Sequence, residues 1–335
     1  MYVIQKTDAV NILKKYNIFE KVIELNLEKY YTSQDFVCMV IRVTCSSDEY
    51  IIKIITENKR DLLYGNKQSD FSENLRKEGL QIPHKYKTYY GDYILQYQIN
   101  GDDFLIQVED YFGEDVEKID YALAHYLGDF LGKLHSISIE KNYKLGSGST
   151  YRAIINNKVE FNKICEDKFI KQLDSLFVKQ VLQEHNNSSK SIQNIWKKLP
   201  KTAVHADLGL ISNIVHNKSG FGVIDFNLAG DESILGDLLI TWYSSRYSMT
   251  IAGTMTVVQI EKLRKIYFDA YFKNRGLLQI EKKFFEKIAS FFNGVYFAKF
   301  LNTLFCYGYE KEAILFSEYM IDNYHKIDFG LDMRI

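Results

Sequence analysis

The sequence predicts an α+β chain of two lobes, a small antiparallel-sheet lobe followed by a larger, mostly helical one. Three observations carry this. β-Branched and aromatic residues dominate short runs between about residues 36 and 112, apolar residues recur at three- and four-residue spacing through most of the chain beyond, and 335 residues suffice for two cores. Hydrophobic residues make up 46% and charged ones 25%, so the chain is globular rather than disordered or fibrous.

Residues 8–29 place Val10, Leu13, Ile18, Val22 and Ile23 at helical spacing and predict one or two short helices. The period then changes. "FVCMVIRVTCSSDEYIIKII" reads as two strands around Ser46, Ser47 and Asp48, a hairpin. A helix over about 60–78 follows, "GLQIPHKYKT" leads out past Pro83, and "DYILQYQING" and "FLIQVEDYF" are further strands. Five strands with one inserted helix are expected, ending near residue 112. Beyond, "IDYALAHYLGDFLGKLHSI" keeps Leu123, Tyr126, Leu127, Phe130, Leu131 and Leu134 on one helical face. "LGSGST" at 145–150 reads as a connector, since it lacks the spacing and the preceding strand of a phosphate-binding glycine loop. Helical patterns return in 158–185 and dominate 234–325, while "EHNNSSKS" at 184–191 reads as a surface loop.

Forty-two basic against 43 acidic residues leave a net charge of −1, so no global field draws the chain to nucleic acid or to an anionic membrane. No segment is apolar for the length of a spanning helix, and charges every few residues interrupt the first 25 positions. Cys38, Cys45, Cys165 and Cys306 are scattered without metal-ligand spacing. Free thiols in a reducing, cytoplasmic setting are the expectation.

One stretch is richer in polar residues than its hydrophobic runs allow for. "TAVHADLGLISNIVHNKSGFGVIDFNLAGDESILGDLL" sets His205, Asp207, Asn213, Asp225 and Asp237 among apolar and turn residues. Within it, "SNIVHNKSGFGVIDF" predicts a tight hairpin whose register brings Asn213 and Asp225 out at the same open end. Oxygens there are close enough to share a Mg²⁺ ion, and His205 and Asp207 lie in the loop just before it.

These residues resemble the His-x-Asp…Asn…Asp pattern of kinases. "VHADL" and "GVIDF" are similar to the phosphotransferase family of aminoglycoside, choline and homoserine kinases, whose loop reads HGDLHxxN. "YIIKI", "LRKEGLQIP", "LGDFLGKLHSI" and "AGDESILGDLL" resemble further segments of that family in the same order. The resemblance implies a protein-kinase-like fold with a nucleotide-binding lobe over 1–108, a hinge over 109–116 and a helical lobe over 117–335 holding the hairpin and the substrate pocket. It implies ATP, or another nucleoside triphosphate, and Mg²⁺. Asp207 would accept or orient the proton of a small-molecule hydroxyl, Lys53 would bind phosphates, and Asn213 and Asp225 would hold the metal. His205 and Asp237 would support the loop.

Three departures stand out. The family's Asn position falls on Ser212, one residue before Asn213, and either side chain offers the metal an oxygen. Gln68 stands near the place of the acid that partners the lysine, with Asp70 and Glu73 close by. "YTSQDFVC" replaces a glycine-rich phosphate loop. These motivate a second expectation, a member that binds nucleotide or a partner without turnover. A protein kinase is disfavoured because no DFG or APE-like activation segment is present. Phe291, Phe292, Tyr296, Phe297 and Phe300 read as helix core before they read as an aromatic cage for an amine, and Asp231, Glu232 and Asp237 are candidates for an amino sugar, with a solvated turn explaining Asp231 equally well. His135 reads as a partly buried helix-face histidine outside the site.

Overall fold

A computed structural model describes residues 2–33, 36–56, 62–146, 155, 176–209, 213–251 and 255–323. The chain divides into two compact units, Met1–Asp115 with Val215–Asn227, and Val116–Ile214 with Leu228–Ile335. The hairpin that the sequence reading places in the helical lobe thus groups with the N-terminal sheet.

The first unit is built on helix α1 (Lys6–Lys15) and an antiparallel sheet of β1 (Val22–Ser33), β2 (Phe36–Cys45), β3 (Glu49–Thr56), β4 (Leu95–Ile99) and β5 (Asp102–Asp110), ordered β1-β2-β3-β5-β4. Strand parity decides what each face does. Ile41, Ile52 and Val108 share one row, and Met39, Ile54 and Ile106 another on the same face, where they pack with Ile12 and Leu13 of α1 and with Tyr16 just after it. Tyr16 closes this core by donating its hydroxyl to the carbonyl of Ile106 at 2.6 Å. The intervening row, Val40, Lys53 and Gln107, lies on the opposite face. Helix α2 (Leu62–Lys77) is tied to that face by Gln107 Nε2, which donates to Ser69 Oγ at 2.6 Å.

Val22 and Ile23 belong to β1, not to a second N-terminal helix. Their spacing fits both periods over so short a run, and pairing of 22–33 with β2 satisfies backbone groups that an isolated helical turn would leave to water. This strand completes the five.

Short β6 (Glu114–Asp115) pairs with β8 (Ile214–Asn217), which turns through residues 218–219 into β9 (Gly220–Val223). Asn217 Oδ1 accepts from Ser219 N at 2.7 Å to shape that turn. Val223 N donates to the carbonyl of Gln81, and Gly222 leaves no room for a Cβ against the Phe112 ring, so the hairpin is seated on the exit from α2.

The second unit is carried by α3 (Tyr121–Glu140), α4 (Leu176–Trp196), α5 (Ile234–Ile251), α6 (Val257–Asn274), α7 (Gln279–Cys306) and α8 (Glu310–Asn323). Strands β7 (Thr202–Val204) and β10 (Gly230–Glu232) pair antiparallel beside the polar stretch. α3 and α6 approach closely at the glycines of "LGDFLGKL": a Cβ on Gly128 would lie 2.0 Å from the carbonyl oxygen of Tyr267.

Residues 184–191, read as a surface loop, are helical within α4. Their side chains carry no helix signal, but Ile192, Ile195 and Trp196 are buried just beyond and anchor the helix through packing, which overrides weak local propensity. Residues 147–150 of the Gly/Ser connector and 158–175 of the next helical pattern lie outside the described residues. So do Ser212 and Cys165; Cys38 and Cys45 are buried and form no disulfide.

Candidate active site

The loop after β7 is held from beneath by one carboxylate. Asp237, in the first turn of α5, accepts from His205 N at 2.9 Å through Oδ2 and from Ala206 N at 2.8 Å through Oδ1. His135 of α3 reaches Asp237 Oδ2 at 3.2 Å with Nε2, and its Nδ1 lies 2.9 Å from the Tyr271 hydroxyl. Asp237 Oδ2 and the Tyr271 hydroxyl thus partner both ring nitrogens of His135, and burial keeps the Tyr271 phenol protonated. His135 is a hydrogen-bonded histidine on the helix face, as the sequence reading has it, and fully rather than partly buried.

The loop presents Asp207 to solvent. Its backbone N–H donates to His205 Nδ1 at 3.3 Å, and Asn213 Nδ2 donates to both its carbonyl, at 2.7 Å, and its Oδ2, at 3.1 Å. Asn213 thus orients the carboxylate. Thr241 Oγ1 of α5 donates to the carbonyl of Leu208 at 2.8 Å, fixing the far side of Asp207. Ala206 and Asn213 take φ values of 69° and 64°, in the left-handed region that side chains other than Asn or Asp rarely adopt.

In the first unit, Lys53 Nζ pairs with Asp225 Oδ2 at 2.8 Å. Asp225 is itself left-handed, with φ 62°, at the end of the hairpin and before the 3₁₀ turn Phe226–Leu228. Gln68 donates to the carbonyl of Asn227 at 2.6 Å, so it braces the turn after Asp225, and Phe71 meets Phe226 edge-on. The acids near Gln68 go elsewhere. Asp70 pairs with Lys87 at 3.6 Å, and Glu73 receives His84, Arg76 and the backbone N–H of Lys85. Burial pushes the Glu73 carboxyl up, but those donors outweigh it and bring it down to about 2.

A sequence profile of the phosphotransferase enzyme family matches residues 75–279, more than half of the chain. The chain belongs to that family. Among solved structures this phosphotransferase-family chain is similar to an amicoumacin kinase in complex with AMP-PNP and Ca²⁺, with TM-score 0.63 and 16% identity over 96% of this chain and 97% of that one. It is also similar to an aminoglycoside phosphotransferase from Alicyclobacillus acidocaldarius, with TM-score 0.57 and 12% identity over 98% of each chain. A microcompartment-associated aminopropanol kinase matches with TM-score 0.57 and 12% identity over 96% and 98%. No curated protein sequence matches it. The fold is thus the two-lobed, protein-kinase-like α+β fold, with an antiparallel-sheet lobe and a helical lobe.

The remaining acids of this family member's polar stretch are already engaged. Glu232 is buried and accepts from Trp196 Nε1 at 2.7 Å and Lys201 Nζ at 2.6 Å, and Asp231 caps the backbone N–H groups of Leu145 and Gly146. Phe291, Phe292 and Phe297 are core, with Phe292 edge-on to Trp196 and Phe297 against Phe316. No helix among the described residues is long and apolar enough to cross a membrane.

Proposed function

We propose that this chain transfers the γ-phosphoryl group of ATP to a hydroxyl of a small molecule. The observation that carries the reading is the Asp207 loop: an exposed carboxylate, aimed by Asn213 and mounted on a backbone that buried Asp237 holds at two consecutive N–H groups. Phosphoryl transfer asks little covalent work of a protein and much positioning, which this loop supplies. Asp207 orients the acceptor hydroxyl and takes its proton. Lys53 leaves Asp225 to bind the phosphates, and Asp225 is then free to serve the metal.

A carboxylate such as that of Asp225 suits Mg²⁺, a hard cation that keeps most of its ligands from water and phosphate. Among the described residues no group of three or more His, Cys, Asp or Glu is placed to hold a metal alone. Bound there, Mg²⁺ neutralises phosphate charge. A cytoplasmic location, where ATP is abundant, belongs to the same reading.

The second reading is a member that binds nucleotide without turnover, favoured by the amide of Gln68 at the place of an acid. Asp207→Asn separates the two. A coupled ADP-release assay over a panel of choline, homoserine, sugars and aminoglycosides should find turnover in the parent. The mutant should lose about 10² to 10⁴ of it, the usual worth of a positioned base, with Mg-ATP affinity changed less than about threefold. Equal turnover in mutant and parent removes Asp207 as base, and a parent that binds Mg-ATP yet releases no ADP favours the binder.

A further inference from the structure

Helix α2 lies on the face of the sheet that carries Lys53, yet both of its acids are engaged away from that lysine. Asp70 pairs with Lys87, and Glu73, 3% exposed, is occupied by His84, Arg76 and the backbone N–H of Lys85. What the helix offers instead is two neutral groups used in two directions. Ser69 Oγ accepts from Gln107, the residue directly across from Lys53 on β5, while Gln68 beside it donates to the carbonyl of Asn227 at 2.6 Å. Consecutive helical residues point about 100° apart, so α2 holds the strand and the turn at once.

The Gln68 contact does not stand alone. Phe71, three residues on and on the same side of α2, meets Phe226 edge-on with ring centroids 6.0 Å apart, and Gln68, Phe71 and Phe226 are each 2% exposed. The turn they hold starts at Asp225, whose φ of 62° is left-handed, and Asn227 N donates back to Asp225 Oδ1 at 3.4 Å. Gln68 thus grips the residue that caps Asp225. All of these groups, Lys53 included, belong to one compact unit. Only a donor serves at this place. A carboxylate at 68 would set acceptor against acceptor in a site nearly closed to water, and would add negative charge beside the Asp225 turn.

We propose that Gln68 is a positioning residue for phosphoryl transfer: its amide fixes the Asp225 turn from the helix side, so that Asp225 keeps its direction when Lys53 leaves it for the phosphates. The inference rests on the kinase reading. On it, an amide at the place of an acid is no mark of lost turnover, because one carboxylate answers Lys53 before nucleotide arrives and serves the metal afterwards.

The test reads ATP binding by melting shift, once at saturating Mg²⁺ and once in EDTA. Gln68→Met keeps the length of the side chain and loses the donor. It should raise the half-point for Mg-ATP about three- to tenfold, the scale of one neutral hydrogen bond, while moving that for ATP in EDTA less than about twofold. Tyr16→Phe is the structural control, since it removes a buried donor from the other face of the same sheet; it should lower the melting temperature and move neither half-point. Gln68→Glu restores the acid and should do no better than Gln68→Met. Gln68→Asn keeps the amide on a shorter arm, should fall between parent and Gln68→Met, and decides in place of Gln68→Met if that variant fails to fold. An unmoved Mg-ATP half-point in the deciding variant, an equal rise in EDTA, or a Gln68→Glu half-point at or below the parent's overturns the proposal and leaves the kinase reading standing. A parent that Mg-ATP does not stabilise sinks the kinase reading and this inference with it.

Discussion

Lys53 and Asp225 meet at 2.8 Å with 14% and 31% of their side chains still in solvent, whereas His135 and Asp237 meet at 3.2 Å with neither exposed at all. The two pairs use the same chemistry under different dielectric conditions. A pair that water still reaches is worth about 0 to 1 kcal/mol, because solvent screens it and either partner can be rehydrated. Such a pair is easily exchanged for a nucleotide and its ion. A fully buried carboxylate has no water to fall back on, so each donor it holds is obligatory, and losing it exposes the others to an unmet desolvation cost. The first pair suits a group that must change partners, and the second a loop that must not move.

Breaking the buried side should give the largest effect. Asp237→Ala strands the N–H groups of His205 and Ala206 and the imidazole of His135, and should cost about 3 to 5 kcal/mol. Urea titration measures it, and a midpoint within error of the parent would mean that the loop is held by something else. Breaking the exposed side should leave the fold nearly alone. Asp225→Ala should change stability by about 1 kcal/mol or less. Parent protein should melt higher with Mg-ATP, by mass action on the folded state, and this mutant should lose the Mg²⁺-dependent part of that shift. Identical shifts in the two proteins would take Asp225 out of the metal site. The smallest change sharpens the contrast at the loop itself. Ala206 pays for a left-handed backbone that glycine adopts freely, so Ala206→Gly should stabilise by about 1 kcal/mol in the same titration, and a loss of stability would show that the Cβ has a packing role.

The candidate site was legible in the sequence to the extent that its residues are close along the chain or fall in an ordered motif. His205, Asp207, Asn213, Asp225 and Asp237 lie within 33 positions, and Lys53 stands on a strand whose alternation is plain. The partners were less legible. The sequence places Gln68 near Lys53 but gives no sign that its amide also donates to a carbonyl 159 residues away, at Asn227. His135 gave no sign of its role, because a histidine on a helix face looks the same whether it meets water or a carboxylate 102 residues on. Local pattern likewise misassigned Val22 and Ile23, which need β2 beside them to be a strand, and 184–191, which needs the packing of Ile192 and Trp196 to be a helix.

By itself the sequence determined the periodicities, and through them the sheet, the helices and the hairpin, because alternation and helical spacing are written in neighbouring residues. It also determined the chemistry on offer: a lysine on a strand, an aspartate in a loop, an aspartate at a hairpin end. Tertiary structure alone decided which of these are held and which are free to exchange. Hydrogen-bond partners and burial come from segments far apart in the chain, and it is burial that turns the same carboxylate into a fixed anchor at Asp237 and an exchangeable partner at Asp225.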